Sequence, residues 1–439
     1  VNTEGYSRQR VDLVTKPEQM IGAGYLGQGV SISNITRSYD EFITTQLRSS
    51  TSAFGDVDKY NQLSLQVDNL LADSSVGMQP AIKSFFNSVN DATDDPSSIP
   101  ARQVMLSEAE IVSGRFGAMN GQFDTIRDQI NTDMVVMTDR IGSLSATIAD
   151  LNVRIASEQG RPTGNQQPND LLDKRDTALN NLAELVDISV VPSTAGMVSV
   201  FMGKGLVLVL DENSNKVVTQ PSEFDPTHME IGIKSPSGNI DVITNQVTGG
   251  ELAGTLRFRD EILDPAQQNL GRIAASIVTE FNAIHKKGFD LDGDGDAINA
   301  NGSLFFKALD IPEVASPNNT GGMVLTATFD ENNIDKIDFS DYTIEMTATG
   351  PNTYRLTRLA DNTSFNLEEG TIQDPAFPSN PLATLTALVP VTTSDKLPGI
   401  NLVYDNTVPA AVGDTFFIRP TYTVASDIEV NLTDPRDIA

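Results

Sequence analysis

Seven apolar residues, Ala109, Phe116, Phe123, Ile130, Met137, Leu144 and Leu151, stand at a strict seven-residue interval near the middle of the chain. Val112, Met119 and Ile126 accompany them, followed one position out of step by Met134, Ile141, Ile148 and Ile155. Such a period makes one continuous seam on a helix, and a seam of this length is buried only by packing lengthwise on other helices. No proline interrupts the stretch between Pro100 and Pro162, and the positions between the seam residues carry Asp, Arg, Glu, Gln and Ser, suited to a face that meets water. The pattern predicts one long helix over about 101–159 and a chain whose working part is a packed helical body.

The remaining sequence arranges itself around that helix. Residues 1–33 are short, polar and Gly-rich and read as an extended arm or hairpin. A first helix is predicted from Tyr39 to Ala72, a shorter amphipathic one from Pro80 to Val89, and another from Asp170 to Val186 with Asn169 as its N-cap. From about 188 the period switches to two. Val198–Phe201, Leu206–Leu210, Met229–Lys234 and Asn239–Thr244 read as strands of a meander. A helix over about Pro265–Lys286 interrupts this region and is expected to pack back on the helical body. Beyond 303, Val324–Phe329, Tyr342–Thr347, Tyr354–Leu359 and Thr415–Arg419 are the clearest strands. The predicted class is α+β, a long antiparallel, coiled-coil-like helical domain carrying one or two antiparallel β domains. In sequence terms the division is 1–187 for arm and helical domain, with the helix in 251–302 joining it. A β region follows at 188–250 and an outer β domain at 303–435, free to share a sheet with 188–250.

Composition excludes several functions. With 439 residues there is room for two or three cores, and the net charge of −29 repels the phosphates of nucleic acid and anionic membrane. There is no cysteine, so disulfides, thiolate metal sites and cysteine nucleophiles are absent, which suits a protein exported unfolded. No apolar run approaches eighteen residues, and no signal peptide is visible in a chain that starts at Val1.

Four chemical signals resolve into structural readings. Gly22-Ala23-Gly24-Tyr25-Leu26-Gly27 satisfies the dinucleotide pattern G-x-G-x-x-G, yet no buried strand precedes it and Val30–Ile35 after it alternates like a strand, so it reads as a Gly-rich turn. Asp290, Asp292, Asp294 and Gly295 match the opening of an EF-hand loop. The twelfth position is Asn301 where a bidentate Glu should close the shell, which favours an acidic surface turn over a calcium site. His228 and His285 are the only histidines, and no nucleophile elbow accompanies either. Among 59 acidic residues no catalytic carboxylate pair can be singled out. No catalytic, cofactor-binding or metal-ligating residue is assigned, and no cofactor or small-molecule substrate is expected.

Asn2-Thr3-Glu4-Gly5-Tyr6-Ser7-Arg8-Gln9 resembles the N-terminal signature of bacterial flagellar rod, hook and hook-associated axial proteins. Gly27-Gln28-Gly29-Val30, Arg37, Tyr39-Asp40-Glu41-Phe42 and Gln46-Leu47-Arg48 narrow the resemblance to the family of the first hook-associated protein, FlgK. Asn169-Asp170-Leu171-Leu172-Asp173-Lys174-Arg175-Asp176, Leu256-Arg257-Phe258-Arg259-Asp260, Leu263-Asp264-Pro265-Ala266, Tyr354-Arg355-Leu356-Thr357-Arg358-Leu359 and Thr433-Asp434-Pro435 are similar to later blocks of that family, in order along the whole chain.

The resemblance implies a non-enzymatic structural subunit, exported through the flagellar type III apparatus and assembled in a helical ring. In that ring it joins the hook protein to the second junction protein, with its helical domain inward and its β domains outward. It also implies a helical segment before Val1 and a long helical region after Ala439 that carries the export-chaperone tail. Neither is present, so the chain is expected to be a piece that stays largely monomeric. An extracellular β-rich adhesin or calcium-binding surface module is the alternative, with a hydrolase behind both.

Overall fold

The structure, a computed structural model, describes residues 5–22, 24–72, 77–160, 167–235, 238–291, 303–331, 333–338, 340–348, 353–372, 382–387, 399–405 and 410–439. Its helices are α1 (Glu41–Ala72), α2 (Met78–Asp94), α3 (Ile99–Gln159), α4 (Asn169–Leu185), α5 (Gly250–Phe258), α6 (Asp264–His285) and the short α7 (Val424–Asp427). Helix α3 runs unbroken for 61 residues, as the heptads predict. Pro100 falls in its first turn, where an absent N–H leaves no bond unmade. The seam residues Ala109, Val112, Phe116, Phe123, Ile130, Met134, Ile141, Ile148 and Ile155 are all buried. Two seam positions are not. Ile126 and Leu144 are half-buried, and the adjacent Arg127 and Ser145 point inward instead.

The chain divides into two compact units, one of Val1–Leu65, Asp128–Ser222 and Thr227–Arg259, the other of Gln66–Arg127, Glu223–Pro226 and Asp260–Ala439. These units cut the chain differently from the sequence division into 1–187, 188–250 and 303–435. A switch of period reports local backbone hydrogen bonding, whereas a compact unit is set by which segments bury apolar surface together, and α1 and α3 each contribute to both.

In the first unit the N-terminal segment is a hairpin of β1 (Gln9–Thr15) and β4 (Val30–Arg37), with the small pair β2 (Gln19–Ile21) and β3 (Gly24–Leu26) at its tip. A four-stranded sheet follows in the order β5 (Ile188–Pro192), β6 (Val198–Met202), β7 (Leu206–Leu210), β8 (Asn213–Ser214), then a three-stranded sheet of β9 (Lys216–Pro221), β10 (Met229–Lys234) and β11 (Ile240–Val242). Met134, Ile141 and Ile148 of α3, Leu179 and Leu182 of α4, Val200, Met202, Leu208 and Val209 of the first sheet, and Leu252 of α5 form one core. Each such side chain contributes about 1.5–3 kcal/mol by leaving water. Helix α4 begins at Asn169 with Pro168 before it, and Asn169 does not cap it; its amide Nδ2 donates to Ile35 O at 2.8 Å, tying the helix start to β4. The N-cap expected there is replaced by a tertiary bond, because a partner carbonyl from a distant strand is within reach. Helix α5, which the sequence reading left unassigned, lies against α1 through glycine: a Cβ on Gly254 would sit 2.3 Å from Asp56 O, and one on Gly55 would sit 3.4 Å from Glu251 N.

In the second unit Phe85 of α2 and Phe281 of α6 form an aromatic cluster with Phe305 and Phe306, with ring centroids 4.7–6.3 Å apart. Asn282 of α6 fixes it by bonding both N and O of Phe306 at 2.9 Å. Gln267 of α6 donates to Asn120 and Asp124 of α3, which ties α6 to the long helix. The unit's eight-stranded sheet consists of β12 (Glu313–Ala315), β13 (Val324–Phe329), β14 (Tyr342–Ala348), β15 (Thr353–Arg358), β16 (Thr363–Ile372), β17 (Leu382–Ala387), β18 (Ile400–Asp405) and β19 (Thr415–Ile418). Its order is β12-β19-β14-β15-β16-β17-β18-β13, and an isolated bridge between Ile311 and Ala327 links its two edges. Tyr342, Ile344, Met346, Tyr354 and Leu356 alternate inward, the period-two pattern read from the sequence. Among the described residues no strand of 188–250 enters this sheet, so the shared sheet is not formed.

Candidate functional site

Gly22 and Gly24 lie at the β2–β3 turn, exposed, with a strand on each side and no helix opening after them; Ala23 lies outside the described residues. A pyrophosphate site needs amides converging at a helix start, so this is the turn that the flanking pattern indicates. Of the acidic loop, Asp290 is half-buried, while Asp292, Asp294, Gly295 and Asn301 lie outside the described residues. His285 is buried at the end of α6, its Nδ1 2.9 Å from Ser303 O and its Nε2 accepting from Ala439 N at 2.9 Å. Burial holds its pKa below the ordinary value, and with Nε2 an acceptor the proton resides on Nδ1. That histidine is a packing residue. His228 stands at the entry to β10, 3.4 Å from Glu230.

Buried ionic networks organise both units, and periodicity gives no hint of them. In the second unit Arg127 is 1% exposed and its Nη2 donates to Asp264 and Gln267 at 2.7 Å each. Arg419 pairs with Asp225 at 2.5 Å and with Asp341 at 3.1 Å, and its guanidinium lies 3.3 Å from the ring centre of Tyr422. Burial pushes the Asp341 carboxyl up to about 6, against the pull of Arg419. Asp414 is buried and accepts backbone N–H bonds from Thr320, Gly321 and Ala411, clamping the turn before β13 to the turn before β19. In the first unit Arg37 of β4 pairs with Asp173 at 3.1 Å and with Asp176, and Arg48 of α1 pairs with Asp176 at 2.9 Å. Ser7 N adds a bond to Asp173 at 3.1 Å. The hairpin is thereby tied to α1 and α4 by charge.

The first unit also presents many large apolar side chains outward. On α1, Phe42, Ile43, Leu47, Phe54 and Val57 are exposed, Phe42 to 79% and Phe54 to 69%. On the hairpin, Leu13, Met20, Tyr25, Leu26, Val30 and Ile32 are exposed as well. Single exposed apolar residues are ordinary; a helix face and a hairpin bearing this many are the mark of a surface made to be covered by other polypeptide. No helix among the described residues is long and apolar enough to cross a membrane.

A family model described as the helical domain of flagellar hook-associated protein FlgK matches residues 64–306. The chain is 29% identical over 440 residues to flagellar hook-associated protein 1 of Salmonella typhimurium, covering 100% of this chain and 73% of that protein. It is 28% identical over 441 residues to flagellar hook-associated protein 1 of Escherichia coli, with 100% and 74% covered. The solved structure of the flagellar hook junction protein FlgK from Burkholderia pseudomallei superposes with a TM-score of 0.74 at 28% identity, covering 90% of this chain and 66% of that one. Heptad-packed helices, β modules and these matches together define a structural protein of the bacterial flagellum. Since the family model spans more than half of its length, the chain belongs to the FlgK family of flagellar hook-associated proteins.

Proposed function

We propose that this chain is the body of a junction subunit that joins the flagellar hook to the filament, with no catalytic activity. The observation that carries the reading is family membership together with the exposed apolar surface of the hairpin and α1. A monomer in isolation has no use for such a surface, whereas a subunit of a packed array does. The partners proposed are the hook protein, the second junction protein, neighbouring copies in a helical ring and an export chaperone. Export places it outside the cell, in the flagellum, with its β domains outward.

Deleting the gene in the flagellated host is expected to leave hooks in place while filament subunits are shed into the medium and swimming stops. Filaments retained on the deletion strain, with motility unchanged, would overturn the proposal. Calorimetric titration with Ca²⁺ addresses the alternative module: the junction reading expects no tight, saturable heat.

A further inference from the structure

His285 does more than fill space at the end of α6. Buried in the second unit, it joins two segments far apart in sequence, with Nδ1 2.9 Å from Ser303 O and Nε2 accepting from Ala439 N at 2.9 Å. Residues 436–439 are held at further points as well. Leu291 N donates to Arg436 O at 3.0 Å, and Arg102 Nη1 of α3 donates to Ile438 O. Gly288 lets this segment lie close against the chain leaving α6, since a Cβ there would meet the Ala439 backbone at 2.7 Å. Ile438 and Ala439 in turn line an apolar cavity of about 470 Å³, together with Phe86 and Val89 of α2 and Phe281 of α6.

An imidazole placed this way reverses one of its roles on gaining a proton. Neutral, it donates from Nδ1 and accepts at Nε2; protonated, both nitrogens donate, so Nε2–H and the Ala439 N–H are turned against each other. The new charge also arrives beside Arg102, the same residue that holds Ile438 O. Among the described residues, the charged groups that face the ring are Arg102 of α3, which opposes the imidazolium, and Asp290 beyond the end of α6, which favours it. Ser303 and Phe305 bring no charge, and Arg436 is paired with Asp434 at 2.7 Å. Burial adds to the opposition and outweighs Asp290, so the neutral ring is the form that the fold prefers. We propose that His285 is an acid-sensitive latch, which holds residues 436–439 against the end of α6 when neutral and lets them go when protonated. Because the latched form takes up the proton less readily than the released one, latching is complete above the ordinary histidine range and weakens as pH falls through it. Release takes away one wall of the apolar cavity. The latch is independent of the junction reading, and so is its test.

The test takes the purified chain from about pH 7.5 to about pH 5 while NMR follows the imidazole resonances and hydrogen exchange follows the peptide carrying residues 434–439, each rate taken relative to an unstructured peptide at the same pH. His228→Gln leaves His285 as the single imidazole and so assigns its resonance. The expected result is a His285 midpoint below that of a free histidine, with protection of 434–439 falling about tenfold alongside it and protection in the middle of α6 unchanged. His228→Gln should keep this response. His285→Gln, neutral throughout and able to accept from Ala439 N through Oε1, should hold the segment equally at both ends of the range. Level protection of 434–439 while His285 titrates, a midpoint at or above that of free histidine, protection lost evenly across the second unit, or a response that persists in His285→Gln would each overturn the latch. The first three of these are read on the unsubstituted chain, so the test stands whether or not His285→Gln folds.

Discussion

Replacing Gly254 by alanine sets helix propensity against packing, and the structure decides the sign. Propensity alone favours alanine over glycine inside a helix by about 1 kcal/mol. At Gly254, however, the new Cβ would lie 2.3 Å from Asp56 O, about 1.1 Å inside an ordinary contact. The obstacle is backbone, so no rotamer change relieves it; α5 must move away from α1 by roughly that distance. The movement loosens the buried side chains of Leu252 and Leu256 and stretches the 2.9 Å bond between Arg257 and Asp56. Forced overpacking costs about 1–3 kcal/mol, and a clash of this depth belongs at the upper end. After subtracting the propensity gain, the net loss is about 2 kcal/mol, or roughly 4–8 °C in the midpoint of a unit of this size. Gly142 of α3 is the control, since a Cβ there meets nothing within 4 Å, and Gly142→Ala should stabilise by about 0.5–1 kcal/mol. Calorimetry gives the midpoints, and hydrogen exchange of α1 and α5 peptides localises the effect. A Gly254→Ala variant as stable as Gly142→Ala would refute the close approach.

Phe85→Ala should remove the centre of the aromatic cluster and cost about 3–5 kcal/mol, read by urea unfolding; a loss below 1 kcal/mol would mean that the four rings do not form one core. Arg127→Ala strands Asp264 and Gln267 and should cost about 3–5 kcal/mol, and Arg127→Met, which keeps volume but still leaves Asp264 unpaired, should recover only the cavity part of that loss; an Arg127→Met variant as stable as the parent would show that charge pairing is irrelevant there. Asp341 has a folded pKa of about 6, above its unfolded value, so the folded state holds the proton more tightly and this group's contribution weakens as pH rises from about 4 to about 6. Asp341→Asn should flatten that part of the stability profile, by up to about 3 kcal/mol, and urea midpoints at pH 4.5, 5.5 and 6.5 that keep the parent's slope would contradict it. The Asp414 carboxyl, held below the usual carboxylate range by three backbone N–H bonds that outweigh its burial, contributes stability that is lost as pH falls through its lowered pKa. Asp414→Ala should therefore destabilise the second unit's sheet at pH 7 by about 2 kcal/mol or more, with slowed exchange in β13 and β19 as the outcome that would contradict it.

The elements were legible wherever their information is local. Heptad spacing located α3 to within two residues at its start, alternation located β7, β10 and β13 end for end, and the Gly-rich stretch that reads as an arm is the β1–β4 hairpin. Helix α5 was missed because Gly250 and Gly254 lower its helical signal; Gly254 is present for the close approach to α1, and Gly250, at a positive φ, for the approach to Leu185 and Val186 at the end of α4. Asn169 looked like a cap because the sequence shows the helix start but not the carbonyl of Ile35 beside it. Arg127 falls between seam residues, where the pattern suits a water-facing side chain, and its burial depends on Asp264 and Gln267, more than 130 residues away.

By itself the sequence determined the kind of molecule: a continuous seam requires a long packed helix, an acidic cysteine-free chain excludes whole chemistries, and ordered motif blocks identify the flagellar family. Tertiary structure alone decided how the chain divides into two interleaved units, the strand order of the eight-stranded sheet, the pairing of buried arginines with distant carboxylates, and the placing of His285 between Ser303 and Ala439. The distinction is physical. Periodicity and turn chemistry act over a few residues and leave a trace at each position, while a buried charge or a helix contact through glycine depends on groups brought together only after the chain has folded.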